Sequence, residues 1–187
     1  YTSGGYGGYN TIDKFPFSSD TNASDAGDLS QARTTVGHSS SESGYSSGGT
    51  YGPGNKDIID KFPFAADGNA TDVGDLLAVT WYNAGISSGS DGYNAGGALP
   101  SASNVIQKFS FSADGNASDV GDLIVAREYP TGTNSETHGY VAGGNPYLSP
   151  AAITIEKFSF TSGGNATDVG SAVSYTHLRA HETVANL

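Results

Sequence analysis

Side chains with oxygen ligands recur along the chain at a spacing that could bind calcium. In one copy, Asp67, Asn69, Thr71 and Asp75 follow one another at short intervals. Calcium loops take oxygen ligands from alternate positions of a turn, so this segment is a candidate calcium site. The corresponding ligands in three successive copies are Asp20, Asn22 and Asp28, then Asp67, Asn69 and Asp75, then Asp114, Asn116 and Asp122.

The same segment is also typical of a structural turn. Asn, Asp and Thr side chains bond to nearby backbone amides, and glycine allows unusual backbone angles. In a fourth copy, a glycine takes the place of the first aspartate and Ser171 takes that of the last. We therefore expect a turn and no cofactor, and keep a calcium-dependent adhesion module as the alternative.

A second kind of chemistry is the stacking of aromatic rings on sugars. The candidate binding residues, which stand out from the repeated positions, are Tyr51, Trp81, Tyr82, Tyr147, Arg33 and Arg127. No acid–base pair has a recognisable spacing. His38 and His138 occupy loosely equivalent positions in turns, which favours a role in the repeat over catalysis. We predict a binding module and no enzyme; a glycosidase or oxidase is the less favoured alternative.

Composition excludes other classes of function. The net charge is −11, with 8 Lys and Arg against 19 Asp and Glu, which disfavours binding to nucleic acid phosphates. No apolar run approaches the roughly 20 residues of a membrane-spanning helix, so we expect no membrane insertion. The absence of cysteine excludes disulfides and thiolate metal sites.

These residues sit in an internal repeat. The block at residues 59–76 returns at 12–29, at 106–123 and, with a changed end, at 155–170. Its central lysines are 47, 47 and 49 residues apart and are Lys14, Lys61, Lys108 and Lys157. A period of this length, with room for four short strands, predicts an all-β fold, a β-propeller built from four-stranded repeats of about 47 residues. The expected units are 1–33, 34–80, 81–127 and 128–173.

The strands expected within one unit also predict where recognition occurs. We expect the first three strands at 126–133, 138–142 and 153–160, and the fourth, seen one unit earlier, at 122–126, after an Asp-x-Gly turn. The loop between the second and third strands varies in length, whereas the one between the third and fourth does not. Variable loops on a rigid scaffold usually carry recognition. The predicted binding face therefore comprises residues 6–11, 50–57, 98–104 and 145–152.

The pattern of Ala126-Arg127, then His138 to Gly144 with its Gly-Gly pair, then Ile155 to Phe158 resembles a kelch-type β-propeller blade. It is similar to the kelch-like repeats of marine phage and bacterial surface or tail-fibre proteins. The tryptophan that kelch blades carry before the fourth strand is missing, and Trp81 lies elsewhere. The resemblance covers about residues 1–173 and implies a propeller with a cell-surface glycan or protein as partner.

The resemblance also implies an extracellular, cell-surface or virion location. Four repeats with truncated ends predict a fragment, whose ring would be completed by additional blades from the missing chain or from another copy. Residues 174–187 match nothing upstream and resemble translated read-through of sequencing adapters. We give their His177 and His181, spaced like a helical metal pair, little weight as a metal site.

Overall fold

A computed structural model describes residues 1–51, 54–98, 101–145 and 153–172, which form an all-β protein. Four antiparallel sheets follow one another along the chain, and each lies within one of the four predicted repeat units. Within each sheet the strands are adjacent in chain order, as in a meander. No helix in the described part of the chain is long and apolar enough to cross a membrane.

The first sheet has three strands and the other three have four. The first contains β1 (Thr2–Ser3), β2 (Thr11–Lys14) and β3 (Ser24–Asp28). The second contains β4 (Val36–Ser39), β5 (Ser43–Ser47), β8 (Ile58–Pro63) and β9 (Thr71–Asp75). A small separate hairpin, β6 (Thr50–Tyr51) and β7 (Gly54–Asn55), interrupts it between β5 and β8.

The third and fourth sheets repeat the four-stranded pattern. The third contains β10 (Ala84–Ser87), β11 (Asp91–Ala95), β12 (Val105–Ser110) and β13 (Ser118–Asp122). The fourth contains β14 (Thr131–Asn134), β15 (His138–Ala142), β16 (Thr154–Ser159) and β17 (Thr167–Ser171).

Two strand predictions are corrected. The fourth strand of the third unit is β13 (Ser118–Asp122), so the Asp-x-Gly segment lies in a strand and not in a turn. A β-bulge between Ile106 and Gln107, together with Gly121 at φ 149°, lets this segment pair with β12. The following first strand is confined to Thr131–Asn134, because the residues between it and β13 form the connection between two sheets.

The sheets pack face to face in chain order. Ile12 and Leu29 of the first sheet contact Phe62 of the second, and the two later interfaces use equivalent residues. Each of these phenylalanines covers a glycine of its own sheet. At Gly92, for example, a Cβ atom would lie 2.3 Å from Cζ of Phe109, so any larger residue would displace the ring. Each of these glycines therefore leaves room for the phenylalanine ring that packs against the preceding sheet.

Candidate binding face

The strand order puts the predicted variable loops and the connections between sheets at the same end of the molecule. In a meander, successive turns emerge at alternate ends of the sheet. The loop between the second and third strands therefore shares an end with the connection to the next sheet. We call this end the loop face; it comprises the described residues of 4–10, 29–35, 48–57, 76–83, 96–104, 123–130 and 143–153. The opposite end is called the turn face.

Exposed tyrosines are concentrated on the loop face. Tyr6, Tyr9 and Tyr51 lie in its second-to-third loops and are 94%, 60% and 49% exposed. Tyr82 and Tyr129 lie in its connections and are also exposed. The exposed large aromatic residues outside the loop face, within the part of the chain described, are Tyr1, Phe15 and Phe17. The loop face thus offers several flat rings, each with a polar hydroxyl.

Tyr82 and Tyr129 form a stacked pair on the loop face. Their ring centroids are 4.0 Å apart with an interplanar angle of 24°, and Trp81 meets Tyr82 edge-on at 6.3 Å. Both tyrosines have left-handed backbone angles, φ 59° and φ 55°. Such angles cost on the order of 1–3 kcal/mol for a non-glycine residue and occur preferentially at functional sites.

Backbone hydrogen bonds hold the two tyrosines in these angles. The amide of Tyr129 donates to the carbonyl of Tyr82 at 2.8 Å. The residue before each tyrosine pairs with a loop of its own sheet: Trp81 with Ala98, and Glu128 with Asn145. The stacked rings are therefore preorganised by the loops and connections, which lowers the entropy lost when a ligand binds.

The repeat spacing could have identified Tyr129. Tyr82 and Tyr129 are 47 residues apart and occupy the same repeat position, which in the preceding unit is Thr35. The prediction that Tyr82 stands outside the repeated positions is therefore wrong, and Tyr129 is absent from the predicted binding residues. Tyr6 and Tyr9 were also missed. Their position in the variable loop was the available signal.

Tyr51 also lies on the loop face, where it contacts the first sheet. A Cβ atom built on Gly8 would lie 2.0 Å from its ring, so the ring rests directly on that backbone. Trp81 is partly buried. Tyr51, Trp81 and Tyr82 therefore all lie at the predicted end of the molecule. Tyr147, the tail at 174–187 and most of the loop at 145–152 lie outside the described residues.

Arg33 and Arg127 are not surface binding residues, which corrects that prediction. Both side chains are fully buried. Arg33 Nη1 donates to Asp60 Oδ2 at 2.8 Å, and its other nitrogens donate to the carbonyls of Gly48 and Ser46. Arg127 makes the equivalent ion pair with Glu156. Their guanidinium groups join a connection to the next sheet and are not accessible to a ligand.

The repeat shows that this buried pair is exchanged as a unit. In the interface between the second and third sheets, Thr80 stands at the repeat position of the two arginines. In the same interface, Gln107 stands at the repeat position of the two acids, so both charges are absent together. The side-chain oxygen has one role in all three interfaces: it accepts a backbone amide from the preceding connection, such as that of Leu77 at 2.8 Å for Gln107. Asp60 and Glu156 are therefore fully buried members of these interfaces.

Four of the nine candidate calcium ligands make side-chain contacts between repeats. Asn69 Oδ1 accepts the amide of Asp28 at 3.0 Å, and Asn116 Oδ1 accepts that of Asp75 at 3.0 Å. Asp67 pairs with Lys14, and Asp114 with Lys61, across the same boundaries. The described residues contain no group of three or more His, Cys, Asp or Glu side chains placed to hold a metal. These contacts support the structural role.

His38 belongs to the interior of the second and third sheets. It lies in β4, whereas His138 lies in β15, so the two do not occupy equivalent positions. Its Nδ1 is 3.1 Å from the carbonyl oxygen of Ile86, and its Nε2 is 2.8 Å from Ser47 Oγ. Burial lowers the pKa of His38 to about 4, so it is neutral near pH 7. Ser47 is fully buried and His38 nearly so, which favours a structural role for this pair.

The fold and the site together define a class: an all-β repeat protein with exposed aromatic rings at the loop end of its sheets. A comparison with models of protein families finds none that matches the chain, and a comparison with curated proteins finds no match either.

Proposed function

We propose that this chain is a non-enzymatic binding module that recognises a neutral glycan through its loop face. The stacked pair of Tyr82 and Tyr129, with Trp81 beside it, carries the proposal. Sugar rings present apolar C–H faces that pack on aromatic rings, while tyrosine hydroxyls bond to sugar hydroxyls. A pair of rings held in a strained backbone by its surroundings is the arrangement expected of a binding platform.

The charge distribution favours a neutral sugar over an acidic one. The chain carries a net charge of −11, which repels anionic ligands. Two of its few cations, Arg33 and Arg127, are buried in ion pairs and cannot compensate an acidic sugar. A glycan without carboxylate or sulfate groups avoids this repulsion.

We also propose a kelch-like β-propeller as the arrangement of the sheets. Consecutive meander sheets of up to four strands, packed face to face, support it. The first strands also approach one another: a Cβ atom on Gly132 would lie 2.8 Å from the carbonyl oxygen of Gly85. In this proposal the chain is part of a phage fibre or bacterial surface protein located outside the cell, and further blades complete the ring.

The proposal is tested by titration of tryptophan fluorescence. Trp81 is the sole tryptophan, so its emission reports on this site alone. Titration with a panel of neutral oligosaccharides, such as those derived from cellulose, chitin and mannan, should give a saturable change for at least one. Polygalacturonate, an acidic polymer, should give none.

Variants identify the rings that bind. Tyr82→Asn and Tyr129→Asn remove a ring but keep a residue that tolerates the left-handed backbone, and each should weaken binding at least about tenfold. The matched control is Phe17→Ala, which removes an exposed ring from the turn face and should leave the affinity unchanged. The proposal is wrong if no neutral glycan binds, or if both asparagine variants bind as the parent does.

A further inference from the structure

The turn between the third and fourth strands of the fourth sheet lacks an acid that its counterparts carry. In the second, third and fourth sheets this turn has an asparagine whose side-chain oxygen accepts a backbone amide of the preceding sheet; the three are Asn69, Asn116 and Asn165. Two residues before the asparagine stand Asp67 and Asp114 in the second and third sheets, and Gly163 in the fourth. We propose that the space left at Gly163 is a binding site for a ligand carboxylate, on the turn face and separate from the loop face.

The lysine that such an acid would pair with lacks a close partner. In the preceding interface, Lys61 Nζ lies 3.0 Å from Asp114 Oδ1. Lys108 occupies the same repeat position, but its ion-pair partner in the described part of the chain is Asp91 of its own sheet, 4.0 Å away. This distance is too long for a hydrogen bond, and Asp91 Oδ2 already accepts the hydroxyl of Ser90 at 2.6 Å. The ammonium group of Lys108 therefore keeps donors for an acceptor from outside the chain.

A buried hydroxyl in the same interface also lacks its partner. The ring of Tyr93 stacks on that of Phe160 at 4.9 Å, as the ring of Tyr45 stacks on that of Phe111 at 4.6 Å. The Tyr45 hydroxyl donates to the carbonyl of Phe111 at 3.2 Å. The Tyr93 hydroxyl is buried and has no hydrogen-bond partner among the described residues, which is rare for a buried polar group. Burial raises the pKa of Tyr93 to about 12, so this hydroxyl keeps its proton and can donate to an anion.

A cavity of about 310 Å³ joins these two groups. It lies between the third and fourth sheets and is lined by Tyr93, Lys108, Val120 and residues 159–164. A Cβ atom built on Gly163 would lie 3.5 Å from the carbonyl oxygen of Val120, an ordinary contact distance, so there is room for a side chain. The volume is at the lower end of the range for small-ligand pockets, which suits a molecule the size of one amino acid or one sugar.

The turn beside the cavity is held in place without the ion pair. The amide of Gly164 donates to the carbonyl of Val120 at 2.8 Å, which ties the turn to the third sheet. Within the turn, Ser159 Oγ accepts the amides of Thr161 and Ser162, both at 3.2 Å. The cavity is therefore preorganised, and a ligand would not have to order the turn when it binds.

The charges around the cavity favour a single carboxylate. Lys108 supplies a positive charge and Tyr93 supplies a hydroxyl donor, and a carboxylate has two oxygens that can accept from both. The repeat uses the same group in the preceding interface, where Asp114 pairs with Lys61. Asp91 and the net charge of −11 oppose a second negative charge on the ligand, which disfavours phosphate and other dianions. An acidic side chain of another protein and a sugar acid both present such a carboxylate.

Amide chemical shifts measured by NMR test the proposal and separate the two sources. The acidic probes are N-acetyl-aspartate methylamide and glucuronate, and their neutral counterparts are N-acetyl-asparagine methylamide and glucose. At constant ionic strength, at least one acidic probe should shift the amides of residues 161–164 in a saturable manner, with a Kd of about 10 mM or below. Its neutral counterpart should bind at least about tenfold more weakly. Absence of a shift at about 50 mM, or equal shifts by an acidic probe and its counterpart, would overturn the proposal.

Variants of the two donors show which groups bind the probe. Lys108→Met removes the cation and Tyr93→Phe removes the hydroxyl, and each should weaken binding at least about fivefold. Tyr93→Phe should not lower the urea midpoint, because the hydroxyl makes no bond in the free protein. The matched control is Lys61→Met, which removes the equivalent cation of the preceding interface and should leave the affinity unchanged. The proposal is contradicted if Lys61→Met loses as much affinity as Lys108→Met.

A variant of the turn supplies the missing acid from within the chain. Gly163→Asp should place a carboxylate beside Lys108 and block the probe, and aspartate is among the residues that tolerate the left-handed backbone, here φ 62°. The control Gly163→Ala carries the same backbone without a carboxylate and should still bind. Far-UV circular dichroism checks that both variants fold. If Gly163→Asp binds the probe as the parent does, the cavity is not the carboxylate site.

Discussion

The buried pair of Arg33 and Asp60 leads to an unusual expectation: a second mutation should rescue the first. Both side chains are completely buried, and the Arg33 guanidinium donates to one carboxylate and three carbonyls. Arg33→Thr would leave the Asp60 carboxylate without its cation in the interior. Loss of one partner of a buried ion pair costs about 3–5 kcal/mol of the free energy of unfolding.

The chain itself shows how the loss can be tolerated, because Thr80 and Gln107 occupy the same positions in the next interface. Asp60→Asn, added to Arg33→Thr, keeps the oxygen that accepts the amide of Ser30 at 3.0 Å and removes the buried charge. The double variant should therefore be about 2 kcal/mol more stable than Arg33→Thr alone. The double variant should still be less stable than the parent protein, because it lacks the packing and hydrogen bonds of the guanidinium.

Urea denaturation, followed by the fluorescence of Trp81 and by far-UV circular dichroism, measures these free energies. The matched control is the exposed pair Lys61 and Asp114, whose charged atoms are 3.0 Å apart. Its coupling energy, measured with the two single variants and the double variant, should be below about 1 kcal/mol. If Asp60→Asn destabilises the Arg33→Thr background further, the interpretation of the pair as an exchangeable buried unit is refuted.

Three further predictions concern pH, packing and calcium. Burial lowers the pKa of His38 to about 4, so neutral His38 contributes fully to the free energy of unfolding above pH 6.5. This contribution is lost as the pH falls toward 4, which should lower the free energy of unfolding by up to about 3 kcal/mol. The variant His38→Ile, which copies Ile86, should show a smaller loss across that range, and equal loss would contradict the assignment. Gly92→Ala should destabilise the protein by about 1–3 kcal/mol because its Cβ atom would meet Phe109, whereas Gly37→Ala should not; equal midpoints in urea would disprove the packing argument. Addition of calcium to chelated protein should leave the melting temperature unchanged, and a rise of several degrees would restore the calcium alternative.

The repeat allowed much of the architecture to be predicted. The 47-residue spacing of the lysines and the recurring Gly-Gly pairs indicated short strands in four similar units, and four antiparallel sheets are found. The predicted binding face includes Tyr51, and the strand order places Trp81 and Tyr82 at the same end, because a meander alternates its turns. These features depend on local sequence and on chain order, both of which can be read without a structure.

Other features depend on how neighbouring sheets contact one another. Arginine is usually found at the protein surface. Only the packing of consecutive sheets shows that Arg33 and Arg127 each face a buried acid from the next repeat. The stacking of Tyr82 on Tyr129 likewise joins two connections that are 47 residues apart in the chain. A local pattern fixes which residues share a strand or a turn, but burial and ring stacking are set by surfaces that meet only in the folded protein.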